Sequence, residues 1–516
     1  MFRCRTSASL EEIQQYLLKN GVVYPACEIY GGLRGFYDYG YLGKALKHAF
    51  EQLWREYFLS LHDNFWEVEP SIVMHRRVFL ASGHLEHFND PVVQCTRCGE
   101  IFRADKLLED LGIPAEGKLP DELTRLLREH GVRCPQCGGE LGDVRWFNLM
   151  FPVILGPAGG QLFRLLEHGK IEQLRRLAKD FKDSVAYLRP ETAQGAYVLF
   201  FREFEVHRRR LPLGLAVIGK VFRNEISPRQ LLIRLREFTQ AELQIFFDPA
   251  AWEKEFGEDF DFSQVENTRL RMLLHGERQE KELAVKDLLG HFPEFYCYFL
   301  AVAWKFYTEV LGVPPARVRF RELGPEERAF YNKYHVDIEI YFECFSAWKE
   351  VAGVHYRTDH DLSGHCRLAG KELRPVPHVL ELSFGVDRNL LALIDIFLRK
   401  EKLPSGERTV LAIPPKLSAI QVAVFPLVSN KEEIVAKARE IYRMLKQKTK
   451  YRIFYDEKGS IGKRYRRMDE IGTPFCVTVD YQTLQDGTVT LRFRDTMQQE
   501  RLPAGQLPAR LAQLLE

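Results

Sequence analysis

At 516 residues the chain is too long for one compact core and predicts roughly three or four structural units. Its 46% hydrophobic and 28% charged residues are those of a soluble globular protein, and no apolar run of about 18 residues reads as a membrane-spanning helix. The net charge of +2 is unevenly spread: residues 411–516 hold 18 Lys and Arg against 12 Asp and Glu, a net +6, which leaves −4 for residues 1–410. A basic C-terminal module on a slightly acidic body suits a nucleic-acid grip at one end, or a solvated basic face.

The start, "MFRCRTSASLEEIQQYLLKNG", is polar and amphipathic and lacks the apolar centre of a secretory signal, so a cytoplasmic location is expected. Residues 10–60 alternate helical patterns with the glycine- and tyrosine-rich turn "EIYGGLRGFYDYGYLG", and a long helix is expected over 43–60. "NFWEVEPSIVMHRRVFLASGHLEHFNDPVVQC" is strand-like and then polar. Of ten cysteines, four form the pairs Cys95-x-x-Cys98 and Cys134-x-x-Cys137, and the rest are scattered as reduced thiols would be. The pairs have the spacing of two knuckles closing one tetrahedral Cys₄ zinc site around a helical, charged spacer, in a zinc-ribbon-like insertion over 92–142. Four thiolates would leave no open position, so such a zinc is structural.

Two strand-like stretches flank a basic amphipathic helix near 161–181, and a helical insertion is expected over 248–325. Near "EKLPSGERTVLAIPPKLS" the composition turns to Pro, Ser and Gly and reads as a linker between a body at 1–405 and a small α/β module at 411–516.

Chemistry concentrates in "GKVFRNEISPRQLLIRLREFTQAELQIFF", read as two partly buried strands that carry Arg223, Glu225, Arg234, Arg236, Glu237 and Phe238. Burying so many charges is costly unless a ligand or partners compensate them. Period-two alternation sets Phe238, Gln240 and Glu242 on one face. Such a pair can offer arginines to phosphates while an aromatic ring covers a base; the alternative is a surface hairpin laced with ion pairs. In "ELSFGVDRNLLALI" a strand ending at Glu381-Leu-Ser383 meets Gly385, then a helix whose first turn carries Asp387 and Arg388, the local form of an anion-binding helix start.

Together these elements resemble motifs 2 and 3 of the class II aminoacyl-tRNA synthetases, with "NFWEVEPSIV" and Pro70 in the place of motif 1. "RPETAQGAY", "GKVFRNEISPRQ", "SGHLEHFNDPVVQC" and "YDEKGSIGKRYRRMDEIGTPFCVTVDY" are similar to the glycyl-tRNA synthetases of the dimeric single-chain type, over about residues 10–505. The resemblance implies an α+β fold, with an antiparallel-sheet catalytic domain and a C-terminal α/β anticodon-binding domain. It implies a homodimer that takes glycine, ATP with Mg²⁺ and tRNA(Gly), and no membrane.

By the same resemblance the ATP site comprises Arg223, Asn224, Glu225, Ile233, Arg234, Leu235, Arg236, Glu237, Phe238, Glu350, Val351, Gly385, Val386, Asp387 and Arg388. Arg223 would hold the α-phosphate and the glycine carboxylate, Glu225 the adenine amino group, and Phe238 and Arg388 the two adenine faces. Glu350 would take the ATP-bound magnesium. Catalysis would rest on Arg223, Glu225 and Arg388, with no general base, because the carboxylate is already a nucleophile. The glycine site comprises Arg103, Glu191, Phe238, Thr239, Gln240, Ala241, Glu242, Glu381, Leu382, Ser383, Phe384 and Gly385. Glu191, Glu242 and Glu381 would surround the ammonium while Ser383 crowds the α-carbon; Arg103 stands open to a second reading as a surface charge. Lys463, Arg464, Arg466 and Arg467 would contact the anticodon. The rivals are a non-catalytic nucleic-acid-binding relative, and a prolyl or threonyl enzyme with the same C-terminal module.

Overall fold

The computed structural model describes residues 5–515 apart from 116, 171–172, 174–183, 229, 330 and 405. The body is built on one nine-stranded sheet against a long helix, α1 (Tyr41–Phe58). Its strands are β1 (Phe65–Glu67), β2 (Leu213–Phe222), β3 (Glu237–Phe247), β4 (Arg269–Leu273), β5 (Lys281–Ala284), β6 (Val318–Glu322), β7 (Tyr334–Phe342), β8 (Ala347–Thr358) and β9 (His378–Gly385). Across the sheet they run β5-β4-β6-β7-β8-β9-β3-β2-β1, antiparallel except for β1 beside β2 and β4 beside β6. Helix α2 (Val386–Phe397) leaves the end of β9 directly.

Alternation decides what each face carries. On β3, Ala241, Leu243, Ile245 and Phe247 are fully buried in the main core; on β9, Leu380, Leu382 and Phe384 join them. Helix α1 meets that face with Leu42, Leu46, Phe50, Trp54 and Phe58, a helical stripe, and α2 adds Leu390, Leu391 and Ile394. Phe384 packs edge-on against Trp54, with ring centroids 6.2 Å apart, and 5.0 Å from Phe58. Truncating Phe384 to Ala in this packing costs about 3–5 kcal/mol. The opposite face, freed from core duty, is polar in its centre.

The stretch 248–325, expected to be a helical insertion, instead supplies β4, β5 and β6 to the sheet. Its helix Glu294–Lys305 is amply apolar and packs into the main core. The strands are hidden in the sequence because Arg269, Arg271, Arg319 and Arg321 interrupt the apolar pattern on the solvent side. The expected basic helix near 161–181 is seen as Pro157–Glu167, and most of its second half lies outside the described residues.

The expected linker is a structured hairpin, Leu398–Leu403 with Gly406–Leu411, to which Arg5–Ser7 adds a third strand. Arg408 of this hairpin is 3% exposed; it donates to Glu401 at 2.6 Å and to Asp469 at 2.8 Å, and Asp469 also pairs with Arg492 at 2.8 Å. The C-terminal module is a second sheet of β10 (Val422–Pro426), β11 (Ile453–Tyr455), β12 (Phe475–Val479), β13 (Thr488–Phe493) and β14 (Gln499–Pro503), in the order β11-β10-β12-β13-β14. The first three are mutually parallel, flanked by α3 (Glu432–Lys448) and α4 (Ile461–Glu470), which gives the expected α/β unit a core of its own.

Candidate active site

The polar face of the main sheet forms a pocket of about 220 Å³ whose two ends differ in chemistry. At one end stand Arg223, Glu225, Ile233, Arg234, Leu235, Phe238, Glu350, Val351, Gly385, Asp387 and Arg388. Of the charges expected on two strands, Arg223, Glu225, Arg234 and Arg236 sit instead on the connection between them, since β2 stops at Phe222 and β3 starts at Glu237. One further rung, Arg223 N–H to the Arg236 carbonyl at 3.0 Å, closes the ladder before the chain opens.

Arg223 is aimed by its Nε–H donating to the Pro190 carbonyl at 3.0 Å, and its guanidinium lies 5.3 Å from the Phe238 ring centroid. Arg388 is held across the pocket by Nε–H donation to the Ile233 carbonyl at 3.0 Å and an ion pair with Glu350 at 3.0 Å. Glu225 Oε2 is buried without a hydrogen bond, with Arg234 Nε 3.3 Å away. A buried, unsatisfied acceptor is costly and awaits a donor.

The other end is a carboxylate cluster arranged in two rows across strands β7, β8, β9 and β3. One row reads His335, His355, Glu381, Gln244; the next reads Asp337, Gly353, Ser383, Glu242. Arg357 lies two residues beyond His355, 1% exposed. It donates to Glu381 at 2.9 Å and to Asp361 at 2.9 Å, and reaches Glu191 at 3.4 Å. Its guanidinium stacks 4.3 Å from the Tyr331 ring. Burial works against charge on Glu381 and Glu191, but Arg357 beside them, helped by His355 and His84, outweighs it. The Glu381 carboxyl is held at about 2 and that of Glu191 well below its ordinary value.

Glu242 differs. It accepts from the hydroxyls of Ser383 at 2.6 Å and Thr192 at 2.5 Å and makes no ion pair. Burial first, then the neighbouring Glu381 and Glu191, push its carboxyl up to about 7. Of the three carboxylates, Glu242 is the one without an ion pair among the described residues, and Arg189 acts on it only at a distance.

Several expected residues face elsewhere. Ala241, Leu382, Phe384 and Val386 point into the core, as alternation against Gln240, Glu242 and Ser383 requires. Thr239 is behind the site: its hydroxyl accepts from Lys47 and its N–H donates to Asp387. Asn224 N–H donates to the Leu149 carbonyl, Arg236 holds the carbonyls of Glu225 and Arg34, and Glu237 pairs with Lys220 at 2.9 Å. Arg103 does not line the pocket; it pairs with Asp90 at 3.1 Å and with Asp105. His335, His355, Arg357, Tyr331 and Asp361 were missed. The alternation in "GVHYRTDHDL" sets His355 and Arg357 on one strand face, and the sheet register puts His355 beside Glu381.

The Sγ atoms of Cys95, Cys98, Cys134 and Cys137 lie within 4.8 Å of one another, with Cys95–Cys137 at 3.5 Å and Cys98–Cys134 at 3.7 Å. A tetrahedral zinc with Zn–S bonds of about 2.3 Å needs edges of about 3.8 Å, so the cluster fits that ion. Helices Ala104–Glu109 and Pro120–Glu129 loop out between the pairs around a small core of Leu108, Leu123 and Leu127.

In the C-terminal module, Arg464 is not available to a ligand. It is 1% exposed and donates to the carbonyls of Pro426 and Gly459. Helical periodicity turns it inward, while Lys463 and Arg467 face solvent; Arg466 donates to the Glu407 carbonyl and Arg467 pairs with Asp456. A groove nearby is lined by Arg439, Tyr442, Arg443, Phe454, Tyr455, Asp456, Glu457 and Lys458, with Arg439 paired to Glu457 at 3.1 Å.

Residues 176–397 match the family model for the tRNA synthetase class II core domain (G, H, P, S and T), and 421–514 match that for the anticodon binding domain. Along nearly its whole length the chain is similar to proteins described as glycine–tRNA ligases. It is 39% identical to that of Pyrococcus horikoshii, covering 98% of both chains. It is 37% identical to that of Aeropyrum pernix (98% and 96%) and 35% to that of Methanothrix thermoacetophila (96% and 95%). A crystal structure of prolyl-tRNA synthetase from Cryptosporidium parvum, complexed with L-proline and AMP, shares the fold. Its TM-score is 0.55 at 13% identity, over 98% of this chain and 75% of that one.

Proposed function

The chain belongs to the glycine–tRNA ligases, and from that premise we propose how its pocket divides the work. The activity is ATP-dependent ligation of glycine to tRNA, which in this class proceeds through an aminoacyl-adenylate. The observation that carries the assignment of ends is Glu242: a buried carboxylate that makes no ion pair among the described residues, beside two that share Arg357. The glycine ammonium takes that place, with Glu191 and Glu381 adding field. Ser383, bonded to Glu242, stands against the α-carbon.

The glycine carboxylate then faces Arg223, which also meets the α-phosphate. Charge that moves from carboxylate to phosphate in the transition state stays beside one guanidinium, so the arginine acts by preorganisation and no proton has to be removed. Adenine lies between Phe238 and Arg388, and its amino group donates to Glu225 Oε2, satisfying the orphaned acceptor. Glu350 would hold an ATP-bound magnesium, which supplies charge neutralisation at the phosphates, after exchanging its bond to Arg388. Zinc in the Cys₄ cluster would hold the 89–148 module against the motif 2 connection.

The anticodon end uses Lys463 and Arg467 together with the groove of Tyr442 and Phe454, where Arg443 and Lys458 offer cations beside the rings and Arg439 and Arg467 would exchange their pairs with Glu457 and Asp456 for phosphates. A homodimer through the β1 edge is supported by Trp66 at the end of the sheet, 46% exposed beside His207. A cytoplasmic location follows from the role in translation; among the described residues no helix is long and apolar enough to cross a membrane. Amino-acid-dependent ATP–pyrophosphate exchange tests the reading: it should require glycine, and exchange driven by proline or threonine would overturn it.

A further inference from the structure

Gly353 is the one position in its row without a side chain, and the space above it is taken. A β-carbon built on Gly353 would lie 2.3 Å from Nε2 of His355. The imidazole is fixed there from two sides. Its Nδ1 meets Glu381 Oε1 at 2.5 Å, and its ring lies 4.2 Å from that of His335, which is bonded to Asp337 at 2.9 Å. Asp337, Glu381 and Arg357 are the other charged groups around it, and its side chain is 16% exposed toward the pocket it lines. Gly353 is the register partner of Ser383, and Ser383 of Glu242. The ring therefore fills the volume next to Ser383, on the side away from Glu242.

We propose that His355 is a specificity-determining residue: seated over Gly353, it closes the amino-acid end of the pocket, so that an ammonium at Glu242 fits with a bare α-carbon and not with a β-carbon. This rests on the placement of the ammonium at Glu242. The same ring positions Glu381, whose second oxygen is already engaged by Arg357 and Gln244. One side chain thus couples the size limit of the pocket to the orientation of a carboxylate that supports binding. Gly353 is needed because any side chain there would drive the ring off Glu381, since heavy atoms do not approach to such a distance.

The test is exchange driven by glycine, alanine and serine in the full-length protein. His355→Ala should raise the alanine-to-glycine ratio of kcat/KM about tenfold or more, the discrimination one methyl group commands in a closed pocket. His355→Gln, which keeps the bulk and a donor for Glu381, should keep the wild-type ratio. Gly353→Ala should raise the glycine KM by displacing the ring. An unchanged ratio in His355→Ala, with glycine still activated, overturns the proposal. If His355→Ala activates no amino acid, His355→Gln decides: recovered glycine preference supports the role, and an equal loss refutes it. Glu242→Gln with an unaltered glycine KM would separately overturn the ammonium placement.

Discussion

Ser383 donates its hydroxyl to Glu242 at 2.6 Å, so that carboxylate is satisfied by a neutral partner while its neighbours are held by Arg357. With its carboxyl pushed up to about 7, Glu242 is neutral below that pH and charged above it. The KM for glycine should therefore rise as pH falls through about 7, and Glu242→Gln should flatten that dependence while raising KM. A glycine KM that is flat across this range would contradict it.

The same shift has a stability counterpart. A raised carboxyl favours the folded state below its unfolded value and loses that advantage as pH rises to about 7, whereas Glu381, held at about 2, favours folding above the ordinary carboxylate range and loses it in acid. Glycine and ATP together should raise Tm more above pH 7 than at pH 5, because only a charged Glu242 attracts the ammonium. Thermal shift at the two pH values, with and without ligands, checks this.

Arg223→Ala should lower kcat/KM for exchange by about 10²–10³, the loss typical of one preorganised transition-state contact. Its side chain donates to a single carbonyl, that of Pro190, so Tm should fall by only a few degrees. A loss of Tm as large as that of a core truncation would show that the residue is structural instead.

Cys95→Ser with Cys98→Ser should release about one zinc per chain by elemental analysis. Hydrogen exchange should then quicken in Asn89–Gln94 and Arg145–Asn148, the paired strands beside the cluster. An unchanged metal content would place the ligands elsewhere.

At the other end of the chain, neutralising Lys463 and Arg467 should raise the tRNA KM and make its salt dependence shallower, leaving glycine-dependent exchange nearly intact. Arg464→Ala should behave differently. It strips donors from the buried carbonyls of Pro426 and Gly459 and should cost about 1–3 kcal/mol of stability, read by denaturant unfolding.

The centre of the main sheet and the residues that line one end of its pocket are legible in the sequence because both depend on local pattern. Period-two alternation on β3 and the strand-to-helix turn at Gly385 need only a few adjacent residues to declare themselves. Arg464 was misjudged because a basic run does not show which member a helix turns inward; only packing against Phe425 and the Pro426 carbonyl decides it. Arg357 went unnoticed for a related reason. Asp361 lies only four residues on, but Glu191 and Glu381 come from distant segments, and no window of sequence brings all three partners together. The hairpin at 398–411 has the composition of a linker because Pro, Ser and Gly in its turn mask the β-pairing of its arms.

That hairpin, knotted to the C-terminal module through Arg408, Asp469 and Arg492, has a consequence for how a long ligand is held. Two binding surfaces joined by a slack tether find the second contact at an effective concentration set by the tether's random excursions. Here the excursions are removed when the protein folds, because the connection is a buried ion cluster on a paired sheet. The distance between the two ends is therefore fixed before any ligand arrives, so a tRNA that meets one end as proposed pays no tether entropy to meet the other. Loosening the knot, for example with Arg408→Met, should thus weaken the joint hold on tRNA before it weakens contact at either end alone.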